Sequence, residues 1–150
     1  MILIDSNALI VLILGLIDTK LIPKHKRTSI YDEQDFYDLQ IAIEDIKNLV
    51  VLPNIWTEVD NLLNNFNGGH KQVYIEKITE TIKSSTEKYI PSNIAVDNFA
   101  FYDLGLTDSL ILESAKDCKL IITTDSRLSD YANALGCKVF DLVKNRNNRF

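Results

Sequence analysis

The sequence predicts an α/β protein with a mostly parallel sheet. Short apolar runs rich in β-branched residues recur at residues 1–4, 49–52, 119–122 and 137–140. The segments between them carry apolar residues at the three- and four-residue spacing of helices. Because strands that are separated by helices pair in parallel through crossover connections, this alternation favours an α/β fold.

In the first half of the chain, the run 1–4 predicts a strand that ends at Asp5, and the apolar segment 8–16 predicts a buried helix. Residues 18–30 are polar, contain Pro23 and the basic cluster 24–27, and predict an exposed loop. Residues 32–48 predict a surface helix. The second strand, at 49–52, is stopped by Pro53. A helix follows over 55–66, and we expect it to end at the glycines of 67–69.

In the second half, residues 70–85 predict a covering helix, whereas 89–106 show no clear period and receive no assignment. Thr107 is the expected N-cap of a helix that reaches about residue 116. A third strand at 119–122, a helix at 128–135 and a last strand at 137–140 follow. The basic tail, 144–149, is expected to be frayed.

Composition restricts the class of protein. The 150 residues, 46% hydrophobic and 25% charged, predict one domain over 1–150. With 21 acids against 16 Lys and Arg, the chain lacks the basic surface of a passive nucleic-acid binder. Cys118 and Cys137 are interpreted as buried free thiols. No secretory signal or membrane span is predicted, so we expect a cytoplasmic protein.

Four acids are the candidate functional residues. Asp5 and Asp125 each follow an apolar strand, and Glu58 and Asp108 lie in the first turns of helices that begin on the same side of the sheet. We expect them to converge at the carboxyl edge, where open α/β sheets bind ligands. Close carboxylates repel one another unless a cation is present, and oxygen ligands suit Mg²⁺ or Mn²⁺. Such a site favours metal-assisted phosphodiester hydrolysis.

Each of these residues also has a structural interpretation. Asp5, Asp108 and Asp125 are all in positions to cap helices, and Glu58 is in a position to be a solvated helix residue. The basic cluster at 24–27 is more typical of a solvated loop than of an RNA contact. The aromatic residues Phe99, Phe101 and Tyr102 are suited to stacking on bases, but filling the core is the favoured interpretation.

Four short motifs together resemble those of the PIN-domain ribonucleases in order and rough spacing. They are Ile4-Asp5-Ser6-Asn7, Trp56-Thr57-Glu58-Val59, Leu106-Thr107-Asp108-Ser109 and Ile122-Thr123-Thr124-Asp125-Ser126-Arg127. The resemblance implies a three-layer α/β/α sandwich, a Mg²⁺ or Mn²⁺ site and endonucleolytic cleavage of single-stranded RNA. It implies that Asp5, Glu58, Asp108 and Asp125 are catalytic, metal-binding acids, and that Asn7 and Thr123 are supporting polar residues.

The resemblance also implies partners. Stand-alone proteins of this family are often toxins of toxin–antitoxin pairs and commonly dimerise, so an antitoxin protein and a homodimer are expected partners beside the RNA substrate. Lys24, Lys26 and Arg27 are the candidate RNA contacts.

Two other functions remain open. One is a PIN-like module that has lost catalysis and binds protein or RNA. The other is a phosphohydrolase of the haloacid-dehalogenase type that uses Asp5 as a covalent nucleophile. Such enzymes carry a second acid two residues after the first, where this chain has Asn7.

Overall fold

A five-stranded, all-parallel sheet forms the centre of the protein. It is seen in a computed structural model that describes residues 1–150. The strand order is β3-β2-β1-β4-β5, with strands β1 (Ile2–Ile4), β2 (Leu49–Val51), β3 (Thr86–Glu87), β4 (Leu120–Thr123) and β5 (Val139–Asp141). The predicted α/β class and three-layer α/β/α sandwich are confirmed, and the sheet is entirely parallel.

Nine α-helices surround the sheet; eight lie between strands, and the ninth follows β5. They are α1 (Ser6–Ile17), α2 (Glu33–Ile43), α3 (Pro53–Leu63), α4 (Gly68–Ser84), α5 (Ser92–Ala95), α6 (Phe101–Leu104), α7 (Leu106–Ala115), α8 (Ser126–Ala134) and α9 (Leu142–Asn147). Helix α1 contacts α2, α3 and α4, whereas α7 contacts α5 and α6. Right-handed crossovers assign these two groups to opposite faces of the sheet. None of the helices has the length and apolar character needed to cross a membrane.

The core is one cluster of 36 buried hydrophobic residues around β1 and α1. Every residue from Ala8 to Leu14 is buried, because α1 is covered by the sheet on one side and by other helices on the other. At Gly15 the ring of Phe36 lies so close that an added Cβ would be 2.2 Å from its Cδ1 atom. Glycine at this position therefore allows α2 to pack against α1.

Several predicted boundaries are wrong. Helix α3 ends at Leu63, and Gly68, with a φ of +59°, opens α4 instead of ending α3. Pro53 occupies the first position of α3, where its missing N–H costs nothing. The N-cap of α7 is Gly105, with a φ of +85°, and not Thr107.

The predicted exposed loop at 18–30 is partly ordered and partly buried. Thr19–Lys24 forms a 3-10 helix. Ile22 and Thr28 are fully buried, and the hydroxyl of Thr28 donates a hydrogen bond of 2.7 Å to the carbonyl oxygen of Ile22.

The prediction of a frayed basic tail is also wrong. The tail forms α9 and is attached to α2 by salt bridges from Arg146 and Arg149 to Asp35, at 2.8 and 2.9 Å. Asp35 is fully buried, so these two guanidinium groups compensate its charge. Cys118 and Cys137 are free, as predicted, but only half-buried.

Candidate active site

The candidate site lies at the carboxyl edge of the sheet, where β1 and β4 end side by side. Ile4 is in register with Ile122, so the residues that follow the two strands meet. The chain continues from β1 towards β2 on one side, while β4 lies on the other side of β1. This is the topological switch point at which open α/β sheets form a crevice for ligands.

Asp5 is the most rigidly held acid of the site. One carboxylate oxygen accepts a hydrogen bond from the backbone N–H of Ala8 at 2.9 Å and thereby caps α1. The other accepts from the backbone N–H of Thr124 at 2.9 Å and from the hydroxyl of Thr123. Only 7% of Asp5 is exposed, and burial raises its pKa above the ordinary value. The interpretation of Asp5 as a helix cap is therefore confirmed.

Thr123 forms hydrogen bonds with Asp5 and with the backbone of Asp125, but it does not line the site. It is fully buried, and its hydroxyl oxygen accepts a hydrogen bond from the backbone N–H of Asp125 at 3.0 Å while donating to Asp5. One hydroxyl thus links the segments after β1 and β4. Thr123 is one of the two predicted supporting polar residues, and these hydrogen bonds are the contacts that it makes at the site.

Asp108 has no comparable partner. It lies in the first turn of α7, is half-buried, and its carboxylate accepts no hydrogen bond from the protein. Burial, followed by the negative charges of Asp125 and Asp5, raises its pKa to about 6. Thus Asp108 lies near enough to other acids for their charges to disfavour its ionised form.

Asp125 and Glu58 complete the set of acids. One carboxylate oxygen of Asp125 accepts hydrogen bonds from the backbone N–H groups of Arg127 and Leu128, at 2.9 and 3.2 Å, and thereby caps α8. Glu58, on α3, forms a salt bridge of 3.1 Å with Arg27. Both side chains of this ion pair are partly exposed, so the pair is of modest strength.

All four acids line one cleft of about 230 Å³. Its lining also includes Asn7, which is one of the two predicted supporting residues, and Thr107 and Thr124. Arg27 supplies the only cationic side chain of the lining. The cleft therefore combines four carboxylates with a single guanidinium group.

Comparison with other proteins does not identify the chain. No protein-family model matches it, and neither does any curated protein or solved structure. The assignment to the PIN-domain ribonucleases therefore stays a prediction, based on the motifs of the sequence.

The three candidate RNA contacts differ in position. The guanidinium of Arg27 extends into the cleft, where it donates to the side-chain oxygens of Glu58 at 3.1 Å and of Asn7 at 3.5 Å. Lys24 and Lys26 are exposed and form no ion pair. Sequence reasoning missed Arg27 as a component of the cleft, because it is 31 residues away from Glu58.

The donor set suits a hard divalent cation, although the side chains are not arranged around one. No three His, Cys, Asp or Glu side chains are grouped closely enough to hold a single ion. Mg²⁺, however, usually retains several waters and binds proteins through one or two carboxylates. Burial and the neighbouring acids raise the pKa of Asp108, so a cation bound beside it would stabilise its ionised form. The chemistry of the donor set therefore fits a hydrated Mg²⁺ or Mn²⁺ ion, which Asp5 and Asp108 would hold together with water ligands.

Proposed function

We propose that this protein is a metal-dependent endoribonuclease that cleaves single-stranded RNA in the acidic cleft. The observation that carries the proposal is the meeting of Asp5, Glu58, Asp108 and Asp125, from four distant segments, in one cleft at the switch point of the sheet. A Mg²⁺ or Mn²⁺ ion bound there supplies an activated water and neutralises phosphate charge.

The residues of the cleft have different parts in this function. Asp5 presents a carboxylate whose position is fixed by Thr123, Thr124 and Ala8. Asp108 and Asp125 add negative charge beside it, and both retain carboxylate oxygens that no protein group contacts. Glu58 joins them when it is released from Arg27. The freed guanidinium of Arg27 then binds a phosphate oxygen of the RNA.

Cleavage of a single-stranded RNA in the presence of Mg²⁺ or Mn²⁺ tests the proposal. We expect products with a 5′-phosphate and a 3′-hydroxyl, and loss of cleavage with EDTA, Asp5→Asn or Asp108→Asn. Asp130→Asn is the matched control, because this acid lies on α8 outside the cleft and is exposed. Cleavage that persists in the purified Asp108→Asn variant with EDTA overturns the proposal.

The role of toxin in a toxin–antitoxin pair is a further part of the proposal. Expression of the protein in growing cells is then expected to stop growth, and Asp108→Asn is expected to abolish the effect. Co-expression of a small protein encoded beside it is expected to restore growth. Unimpaired growth at high expression of active enzyme excludes the toxin role but leaves the nuclease proposal in place.

A catalytically inactive PIN-like module that binds protein or RNA is the second candidate. The salt bridge between Arg27 and Glu58 favours it, because Arg27 supplies part of the positive charge that a metal would otherwise provide. So does the absence of three closely grouped ligands. Calorimetric titration with Mn²⁺ separates the two: binding that is lost in Asp108→Asn favours the nuclease, and no binding at millimolar Mn²⁺ favours the module.

A further inference from the structure

Aromatic side chains beside the cleft are exposed to solvent. Tyr102 is 96% exposed, Phe99 63% and Phe101 37%. The prediction that these residues fill the core is therefore wrong. They lie in the segment of the short helices α5 and α6, which directly precedes Asp108 on α7.

One of the exposed rings contacts α8. The ring of Phe99 packs against that of Tyr131, with centroids 5.6 Å apart and an angle of 40° between the planes. The hydroxyl of Tyr131 donates a hydrogen bond to Asp103 on α6. We name the surface of Phe99, Phe101, Tyr102 and Tyr131 the aromatic ridge. The ridge connects α6 to α8. Helix α7, which follows α6, carries Asp108 of the cleft, and α8 is capped by Asp125 of the cleft.

Arg127 is in the first turn of α8, two residues after Asp125 and four residues before Tyr131. Its side chain is exposed and forms no hydrogen bond or ion pair with the protein. The hydrogen bond to Asp103 raises the pKa of Tyr131, and the positive charge of Arg127 opposes that rise. Residues four apart on a helix are neighbours on its surface, so Arg127 lies beside Tyr131, and its guanidinium is free to bind a phosphate.

We propose that single-stranded RNA lies across the aromatic ridge, with bases stacked on Tyr102 and Phe99 and a backbone phosphate bound to Arg127. The inference rests on the proposed function and extends it to a substrate-binding surface. Single strands are bound by aromatic side chains together with cations that contact the backbone. Because stacking supplies affinity without a large basic surface, the ridge accounts for RNA binding by a protein of net charge −5.

The charge of Arg127 favours RNA over a protein partner as the occupant. An apolar peptide would leave this guanidinium without a partner at the border of the interface, whereas a nucleotide provides a ring and an anion together. The chain segments that carry the ridge also lead to Asp108 and Asp125 of the cleft, in which the phosphodiester bond is expected to react.

Binding of a fluorescently labelled 12-nucleotide RNA, followed by anisotropy, tests the inference. Ca²⁺ replaces Mg²⁺ to suppress hydrolysis, and a gel after each titration verifies that the RNA is intact. We expect Tyr102→Ala and Tyr102→Leu to weaken binding at least about fivefold, since stacking of one base contributes that much or more. Tyr102→Phe retains the ring and is expected to bind like the wild type. Arg127→Gln is expected to reduce the salt dependence of binding.

Two controls isolate the contribution of base stacking to the affinity. Tyr37→Ala, on α2 away from the ridge, removes another exposed tyrosine and is expected to leave binding unchanged. An RNA with abasic residues is expected to bind the wild type more weakly and to be insensitive to Tyr102→Ala. If Tyr102→Ala or Tyr102→Leu binds the RNA with wild-type affinity, RNA does not bind on the ridge, and the proposed function is unaffected. Failure of the wild type to bind or cleave any RNA overturns the ridge and the proposed function together.

Discussion

Replacement of Asp108 by Asn is expected to stabilise the metal-free protein. The pKa of Asp108 is raised from 3.8 to about 6, first by burial and then by the charges of Asp125 and Asp5. At about 1.4 kcal/mol per pH unit, the ionised carboxylate would cost the folded state at most roughly 3 kcal/mol at pH 7.5. The side chain is only half-buried, so solvent screening reduces the expected gain to about 1 kcal/mol.

The sign of this effect depends on pH. Between pH 4 and 6 the unfolded chain has already released the proton of Asp108, whereas the folded protein still holds it. The stability of the wild type therefore decreases as the pH rises through this interval. We expect Asp108→Asn to match the wild type near pH 4 and to exceed its stability above pH 6.

Urea denaturation in EDTA at pH 4 and pH 7.5 measures the difference. Asp130→Asn is again the control, since this exposed acid lies outside the cleft. Saturating Mn²⁺ is expected to reverse the order, because the wild type gains the free energy of metal binding and the variant does not. An Asp108→Asn variant that is less stable than the wild type at pH 7.5 in EDTA refutes the reasoning that burial and the neighbouring acids destabilise the ionised form of Asp108.

Three more predictions concern the core, the tail and the cleft. Joint replacement of Arg146 and Arg149 by Ala leaves the buried Asp35 without a cation. We expect it to lower the free energy of unfolding, measured by urea denaturation, by about 3–5 kcal/mol. Unchanged stability would contradict the attachment of the tail to α2. Gly15→Ala places a Cβ 2.2 Å from the ring of Phe36, so we expect a lower melting temperature although Ala has the better helix propensity. A higher melting temperature would contradict the close packing of Phe36 on Gly15. Arg27→Gln removes a competing cation and is expected to tighten Mn²⁺ binding about two- to fivefold by calorimetry; weaker binding would show that Arg27 does not compete.

The sheet was largely predictable because its strands are apolar runs between helical segments. The exception is β3, whose two residues, Thr86 and Glu87, are polar, exposed and at the edge of the sheet. Such a strand is determined by pairing with β2 and has no pattern of its own. The four-residue helices α5 and α6 were likewise invisible, since each is about one turn long and packs on α7.

The convergence of the four acids was predictable, whereas the cations around them were not. The sequence places Asp5 and Asp125 each after an apolar strand. These strands are neighbours in the sheet, and the cleft includes both acids. Contacts between distant segments, such as that of Arg27 with Glu58, have no local signal. The same holds for the contacts of Arg149 with α2, which is why the tail was expected to be free. Exposure of Tyr102 was also unpredictable, because an aromatic residue in an aperiodic segment more often fills a core.

Anomalous diffraction from a crystal soaked in Mn²⁺ tests the central claim most directly. We expect an anomalous peak in the cleft, within coordinating distance of the carboxylates of Asp5 and Asp108, with Arg27 turned away from Glu58. A cleft without a peak at millimolar Mn²⁺, with the salt bridge between Arg27 and Glu58 intact, would contradict it.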